Sequence, residues 1–164
     1  MSEAKTITAS VSENGKSAYS VDIEVSGHAL TGDEPESFGG ADLGPAPYDM
    51  LLAALGECTA MTVRWYAIQQ KWPLEHVSVK LSHRKVKRAE LGESDAARLP
   101  APGQTGDRPA PLVDIFDKEI TITGHSLSAE QKQKLHDVAV KCPVQRTLVN
   151  GAIVHTADLA PALT

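Results

Sequence analysis

The chain has 164 residues, 41% hydrophobic and 23% charged, enough for one domain with a real core. Aromatic residues make up only 4%, so the core must be aliphatic. A formal net charge of −5 excludes the basic face that nucleic acid or an anionic membrane would select.

The first residues, MSEAKTITASVSENG, lack a basic-then-apolar leader. They instead alternate β-branched and polar residues from Lys5 to Val11. Asn14-Gly15 is a hairpin signal, and Ser17 to Val25 resumes the alternation with Tyr19, Val21, Ile23 and Val25 on one face. Ser26 to Thr31 reads as a third strand. Gly32 to Pro47, rich in Gly, Pro, Asp and Glu, reads as a loop.

The stretch from Gly44 to Gln70 predicts a long helix opened by Pro45 and Pro47, with Asp49 favourable in its first turn. Leu51, Leu55, Cys58, Thr62 and Trp65 share one face by spacing. Met50, Leu52, Ala53, Ala54 and Met61 make the helix apolar nearly all round, so burial is expected. Glu57 and Arg64 interrupt it, which excludes a membrane span.

His76 to Val86 alternates Val77, Val79, Leu81 and His83 with polar partners and predicts a strand with one wet face. Residues 87–112 lose periodicity and read as a mobile surface excursion within a single 1–164 domain. Val113 to Thr123 predicts a strand paired with the one before the excursion. Ser128 and Gln131 form a capping box for a helix to about Lys141. Pro143 opens a short helix to Val149, and Ala152 to Thr156 predicts a last strand. The fold class is therefore α+β, antiparallel hairpins packed on a central helix.

Chemistry centres on the two cysteines. Absence of an export signal implies a cytoplasmic chain, where thiols stay reduced. Cys142 precedes Pro143 and so caps the last helix, whose backbone N–H groups favour a thiolate. Arg146, four residues on, could approach the same sulfur. Cys58 lies mid-helix, where apolar burial raises a thiol's pKa. Spacing alone leaves several readings open. Burial statistics favour inert core thiols, while a disulfide or a zinc site fits the compartment and the scattered histidines less well.

The segment GPAPYDMLLAALGECTAMTVRWYA, followed some eighty residues later by KCPVQRTL, resembles the OsmC/Ohr family of thiol-dependent peroxidases, most of all its OsmC-like branch. Glu34-Pro35, Gly39-Gly40, Asp42, Gly44-Pro45, Cys58-Thr59-Ala60-Met61-Thr62 and Cys142-Pro143-Val144-Gln145-Arg146-Thr147-Leu148 carry the likeness. The resemblance implies an OsmC-like fold and an intertwined homodimer. It implies a peroxidatic Cys58 that forms a sulfenic acid with an organic or hydrogen peroxide, resolved by Cys142 and recycled by an external dithiol. No bound cofactor or metal is implied. Family enzymes of the Ohr type use an arginine from the N-terminal β region, yet no arginine precedes Arg64 here. Tyr48, with Asp49 beside it, stands where they place a glutamate, and Gln145 replaces the usual histidine. Arg146 is the expected activating cation, with Asp49 and Tyr48 as supporting or substrate-binding candidates. The rival reading is a non-enzymatic dimer that binds a small ligand or senses redox state.

Overall fold

The computed structural model describes residues 6–99 and 112–156. Along the chain come β1 (Ala9–Glu13), β2 (Val21–Val25), β3 (His28–Gly32), a 3₁₀ turn (Glu36–Phe38), α1 (Pro47–Gln69) and β4 (His76–Lys87). A second 3₁₀ turn (Arg88–Glu90) and a single turn of helix, α2 (Glu93–Ala96), precede β5 (Leu112–Thr123), α3 (Ala129–Ala139) and α4 (Pro143–Asn150). The described residues form two compact units, one from residues 6–53 with 81–99 and 112–117, and one from 54–80 with 118–156.

In the first unit β1, β2 and β3 form an antiparallel sheet in that order. The expected alternation is present: Val21, Ile23 and Val25 are half-buried while Asp22 and Glu24 are exposed. The tight turn lies elsewhere than expected. Ser26 and Gly27 both take positive φ (52° and 81°) between β2 and β3, a two-residue hairpin turn. Asn14-Gly15 instead opens a longer loop, because the last β1–β2 pair is Glu13 with Val21. Polar side chains hold this loop: Asn14 Oδ1 accepts from Lys16 N at 3.0 Å, and Ser20 Oγ accepts from Ser17 N at 2.8 Å. Local side-chain bonds of this kind outcompete the ladder that Ser17 to Ser20 would otherwise join.

Asp33, only 3% exposed, anchors the segment after β3. It accepts from Ser17 Oγ (2.7 Å), Glu34 N (2.9 Å), Ala41 N (3.0 Å) and Leu43 N (3.3 Å). Burial pushes its carboxyl up, but the Ser17 hydroxyl and the three backbone N–H groups together hold it below the usual range. A depressed pKa contributes stability that is whole above the unfolded value, about 3.9, and is lost as pH falls through the folded one. Asp33→Asn is therefore expected to lower the melting temperature at neutral pH and to flatten the acid limb below about pH 4. Thermal melts across pH measure both.

The second unit holds a core of Val63, Ala67, Leu74, Leu127, Leu135 and Ala139. Ile120 and Ile122 of β5 and Val77 of β4 pack against it, with Tyr66 and Trp72 edge-to-face at 5.6 Å. β4 and β5 form a two-stranded sheet, as their alternation predicts. Arg64 secures the turn after α1 by donating to Leu74 O (2.6 Å) and Glu75 O (3.0 Å). The Ser128–Gln131 capping box is present in both directions at 3.2 and 2.9 Å.

Three expectations need correction. Helix α1 is not buried all round: Leu55, Thr59, Val63 and Ala67 form the buried stripe, whereas Met61, Trp65 and Ile68 are exposed. The small residues in that stripe allow close packing, which the bulkier Leu51–Trp65 face would not. Residues 152–156 form no strand and are exposed throughout. Ile153 and Val154 have β propensity, but a strand needs a neighbour's hydrogen bonds, and no described strand supplies them. Part of the 87–112 excursion takes regular structure, since Lys87 ends β4, Leu112 starts β5, and 88–96 hold the 3₁₀ turn and α2. Residues 100–111 lie outside the described residues.

Candidate active site

The structure brings the two cysteines together in the second unit, with both as thiols. Cys58 comes from α1. Cys142 is the N-cap of α4, with Pro143 at the first helical position and Gln145 N donating to Cys142 Sγ at 3.3 Å. Pro143 fixes its own φ and lacks an N–H, so the chain turns sharply and leaves the sulfur facing the first free helix amides. Cys142 is wholly buried. Cys58 is partly exposed and lines a cavity of about 840 Å³. Its wall includes Met61, Trp65, Tyr66 and Val138, with Lys134 and Lys141 among the polar groups.

A lysine that the sequence reading did not single out completes the cluster. Lys118 Nζ donates to Gln145 Oε1 (2.6 Å), Ala139 O (3.1 Å) and Thr59 Oγ1 (3.2 Å). An ammonium has three protons, so these contacts use all of them. Thr59 Oγ1 in turn donates to Leu55 O at 2.7 Å and lies 3.5 Å from Cys142 Sγ. Desolvation pulls the Lys118 pKa down, against the charges of the two sulfurs.

The two thiols are driven in opposite directions. Burial pushes Cys58 up; N–H donation from Val144 opposes this, and its hydrogen bond to Cys142 reinforces it. Burial would also raise Cys142, but donation from Thr59, Gln145 and Cys58, with the Lys118 charge, outweighs it and leaves this thiol lowered. Removing the ammonium should weaken that depression. Lys118→Met is expected to raise the Cys142 pKa, and Lys118→Arg to keep most of the depression. Thiolate absorbance titrated against pH reads the shift.

A model of OsmC-like proteins matches residues 39–157. The chain belongs to the OsmC-like family. Solved structures agree on the fold. An organic hydroperoxide resistance protein of Legionella pneumophila superposes with a TM-score of 0.60 at 19% identity, covering 89% of this chain and 90% of that one. An OsmC-like protein of Mycoplasma pneumoniae gives 0.59 at 19% identity, over 90% and 89%. An organic hydroperoxide resistance protein of Bacillus subtilis gives 0.51 at 15%, over 87% and 90%. Among proteins of curated function, none matches the sequence significantly.

Within this OsmC-like chain the other candidates lie as follows. Arg146 is exposed on α4, and its backbone N–H donates to Cys142 O at 3.1 Å; the charge that acts on the Cys142 sulfur is that of Lys118. Asp49 Oδ2 accepts from Ala46 N at 3.0 Å and closes the start of α1 in the first unit. Tyr48, in the same unit, stacks on His83 with ring centroids 4.4 Å apart, and His83 stacks on Phe116 at 4.9 Å. Lys85 Nζ lies 3.2 Å from Tyr48 Oη and 2.8 Å from Asp114, which also takes His83 Nε2 at 2.8 Å. A signal for Lys118 was present in the sequence: it is in phase with Ile120 and Ile122, which face the core, so an inward lysine was legible by period two.

Proposed function

We propose that this OsmC-like protein reduces hydroperoxides by thiol chemistry, with Cys58 peroxidatic and Cys142 resolving. The carrying observation is a pair of free thiols, one on α1 and one at the start of α4, beside a lysine: Cys58 shares a cavity wall with Pro143 and Val144, and Cys142 is sealed. Cys58 sulfur attacks the distal peroxide oxygen, the O–O bond breaks, and the alkoxide leaves as an alcohol once protonated. Cys58 is then a sulfenic acid. Cys142 thiolate displaces hydroxide from it, which solvent protonates to water, and forms the disulfide. An external dithiol returns both sulfurs to thiols.

Family relatives named for organic hydroperoxide resistance support the substrate class, and the apolar wall of Met61, Trp65 and Tyr66 favours an organic peroxide over hydrogen peroxide. The exposed Met61, Trp65 and Ile68 on an otherwise apolar helix favour a homodimer through this face. Reduced thiols suit a cytoplasmic setting, and among the described residues no helix is long and apolar enough to cross a membrane.

One equivalent of cumene hydroperoxide added to the reduced protein should yield a Cys58–Cys142 disulfide, seen as a loss of two hydrogens by intact mass and as a linked peptide pair. Retention of both thiols would instead favour a protein that binds a small apolar ligand in the cavity without turning it over.

A further inference from the structure

Helix α4 has little apolar packing of its own to hold it. It is eight residues long, none of its side chains is buried, and a helix so short is not stable alone in water. Yet Cys142, at its cap, is 0% exposed. The polar contacts that seat this corner converge on one ammonium. Lys118 Nζ donates to Ala139 O at 3.1 Å, at the end of α3 before the corner, and to Gln145 Oε1 at 2.6 Å, in the first turn after it. Its third proton goes to Thr59 Oγ1 at 3.2 Å, on the α1 residue that follows Cys58. Gln145 N donates to Cys142 Sγ at 3.3 Å, and Thr59 Oγ1 lies 3.5 Å from the same sulfur. Gln145, the residue that replaces the usual histidine of the motif, therefore holds the sulfur through its backbone and the lysine through its side chain.

Resting on the peroxidase reading above, we propose that Lys118 and Gln145 are positioning residues for disulfide closure, a tether that pins both flanks of the Cys142 corner to α1 beside Cys58. In that step the Cys142 sulfur, its proton lost to solvent, forms the S–S bond as the S–O bond of the Cys58 sulfenic acid breaks. Hydroxide leaves and solvent protonates it; the Cys58 sulfur is reduced and the Cys142 sulfur oxidised. Alignment of the reacting atoms is what makes such an intramolecular step fast, and a corner free to swing would sample it rarely. The tether is distinct from the effect of the Lys118 charge on the thiol. Gln145→Leu or Gln145→Ala cuts the bond to α4 while leaving the ammonium in place, and neither opens the core, because Gln145 is only half-buried.

The test reads closure independently of the rate of the first step. Reduced protein receives one equivalent of cumene hydroperoxide with excess dimedone and no external dithiol. Intact mass then gives the ratio of Cys58 adduct to Cys58–Cys142 disulfide, with melting temperature as the folding control. With a tether, Gln145→Leu and Lys118→Met raise that ratio roughly 10-fold over wild type. Gln145→Glu, whose carboxylate accepts from the same ammonium, should bring it back. A wild-type ratio in Gln145→Leu and Gln145→Ala shows that the lysine does not act through this bond, and overturns the tether. A ratio in Gln145→Glu as high as in Gln145→Leu overturns it too. Equilibration with reduced and oxidised glutathione is the second measurement, and it needs no peroxide. The effective concentration of the Cys142 thiol at Cys58 should fall roughly 10-fold in Gln145→Leu and recover in Gln145→Glu. Equal values in wild type and Gln145→Leu overturn the tether. If wild type leaves the hydroperoxide intact, the peroxidase reading fails, and the glutathione equilibrium by itself decides the tether.

Discussion

Cys58→Ser is expected to abolish steady-state hydroperoxide consumption, leaving only the background reaction of the added dithiol. A serine hydroxyl at this position stays un-ionised at any pH the fold survives, because no local charge makes up the gap between alcohol and thiol acidity. The variant should keep its structure. Cys58 is partly exposed and sits on a cavity wall, so exchanging sulfur for oxygen leaves no sealed void and no buried donor without a partner. Val144 N–H and the Thr62 hydroxyl, which face the sulfur, can donate to a hydroxyl as well. The measurement is cumene hydroperoxide loss with a dithiol in excess, alongside melting temperature as a folding control. Equal slow loss in wild type and variant would remove the enzyme reading, because the only solvent-reachable sulfur of the pair would then have no part in the chemistry.

Gly44→Ala is expected to be, with Gly40→Ala, among the most damaging single methyls in the first unit. A Cβ there would fall on the Thr31 carbonyl oxygen, a backbone atom of β3 that cannot swing aside as a side chain would. The φ of Gly44 is not left-handed, so close approach is the whole reason for glycine here. Relief requires β3 and the segment before α1 to part, against the β2–β3 ladder and the Asp33 hydrogen bonds. A cost of about 3 kcal/mol or more follows from overpacking against rigid backbone. At this chain length that corresponds to a fall of roughly 10 °C in melting temperature. Gly92→Ala is the control, since a Cβ there meets nothing within 4 Å and its φ of −66° suits any residue. Equal melting temperatures for the two variants would show that the close approach does not hold in solution.

Much of this molecule was legible locally. Pro47 and Asp49 at the start of α1, the Ser128–Gln131 box, the Cys142-Pro143 corner and the alternation of β2, β4 and β5 all rest on contacts within four residues or on period two. Those are short-range steric and hydrogen-bonding rules that sequence states directly. Choices among equally permitted partners were not legible. Asn14-Gly15 and Ser26-Gly27 are both turn signals, and the serine, asparagine and aspartate side chains around residues 14–33 decided which one became the tight hairpin.

The site divides in the same way. Sequence alone determined that Cys142 would cap a helix and that Cys58 would ride a long apolar one, because a cap and a helical phase depend on nearby residues only. Only the tertiary structure decided which cation stands beside the thiols. Arg146 is near in sequence but exposed, while Lys118 reaches Thr59 across 59 residues and Gln145 across 27. It also decided which sulfur is sealed and which opens to the cavity. Burial and Coulombic environment are sums over everything that surrounds an atom, and the chain acquires them only when distant segments close around it.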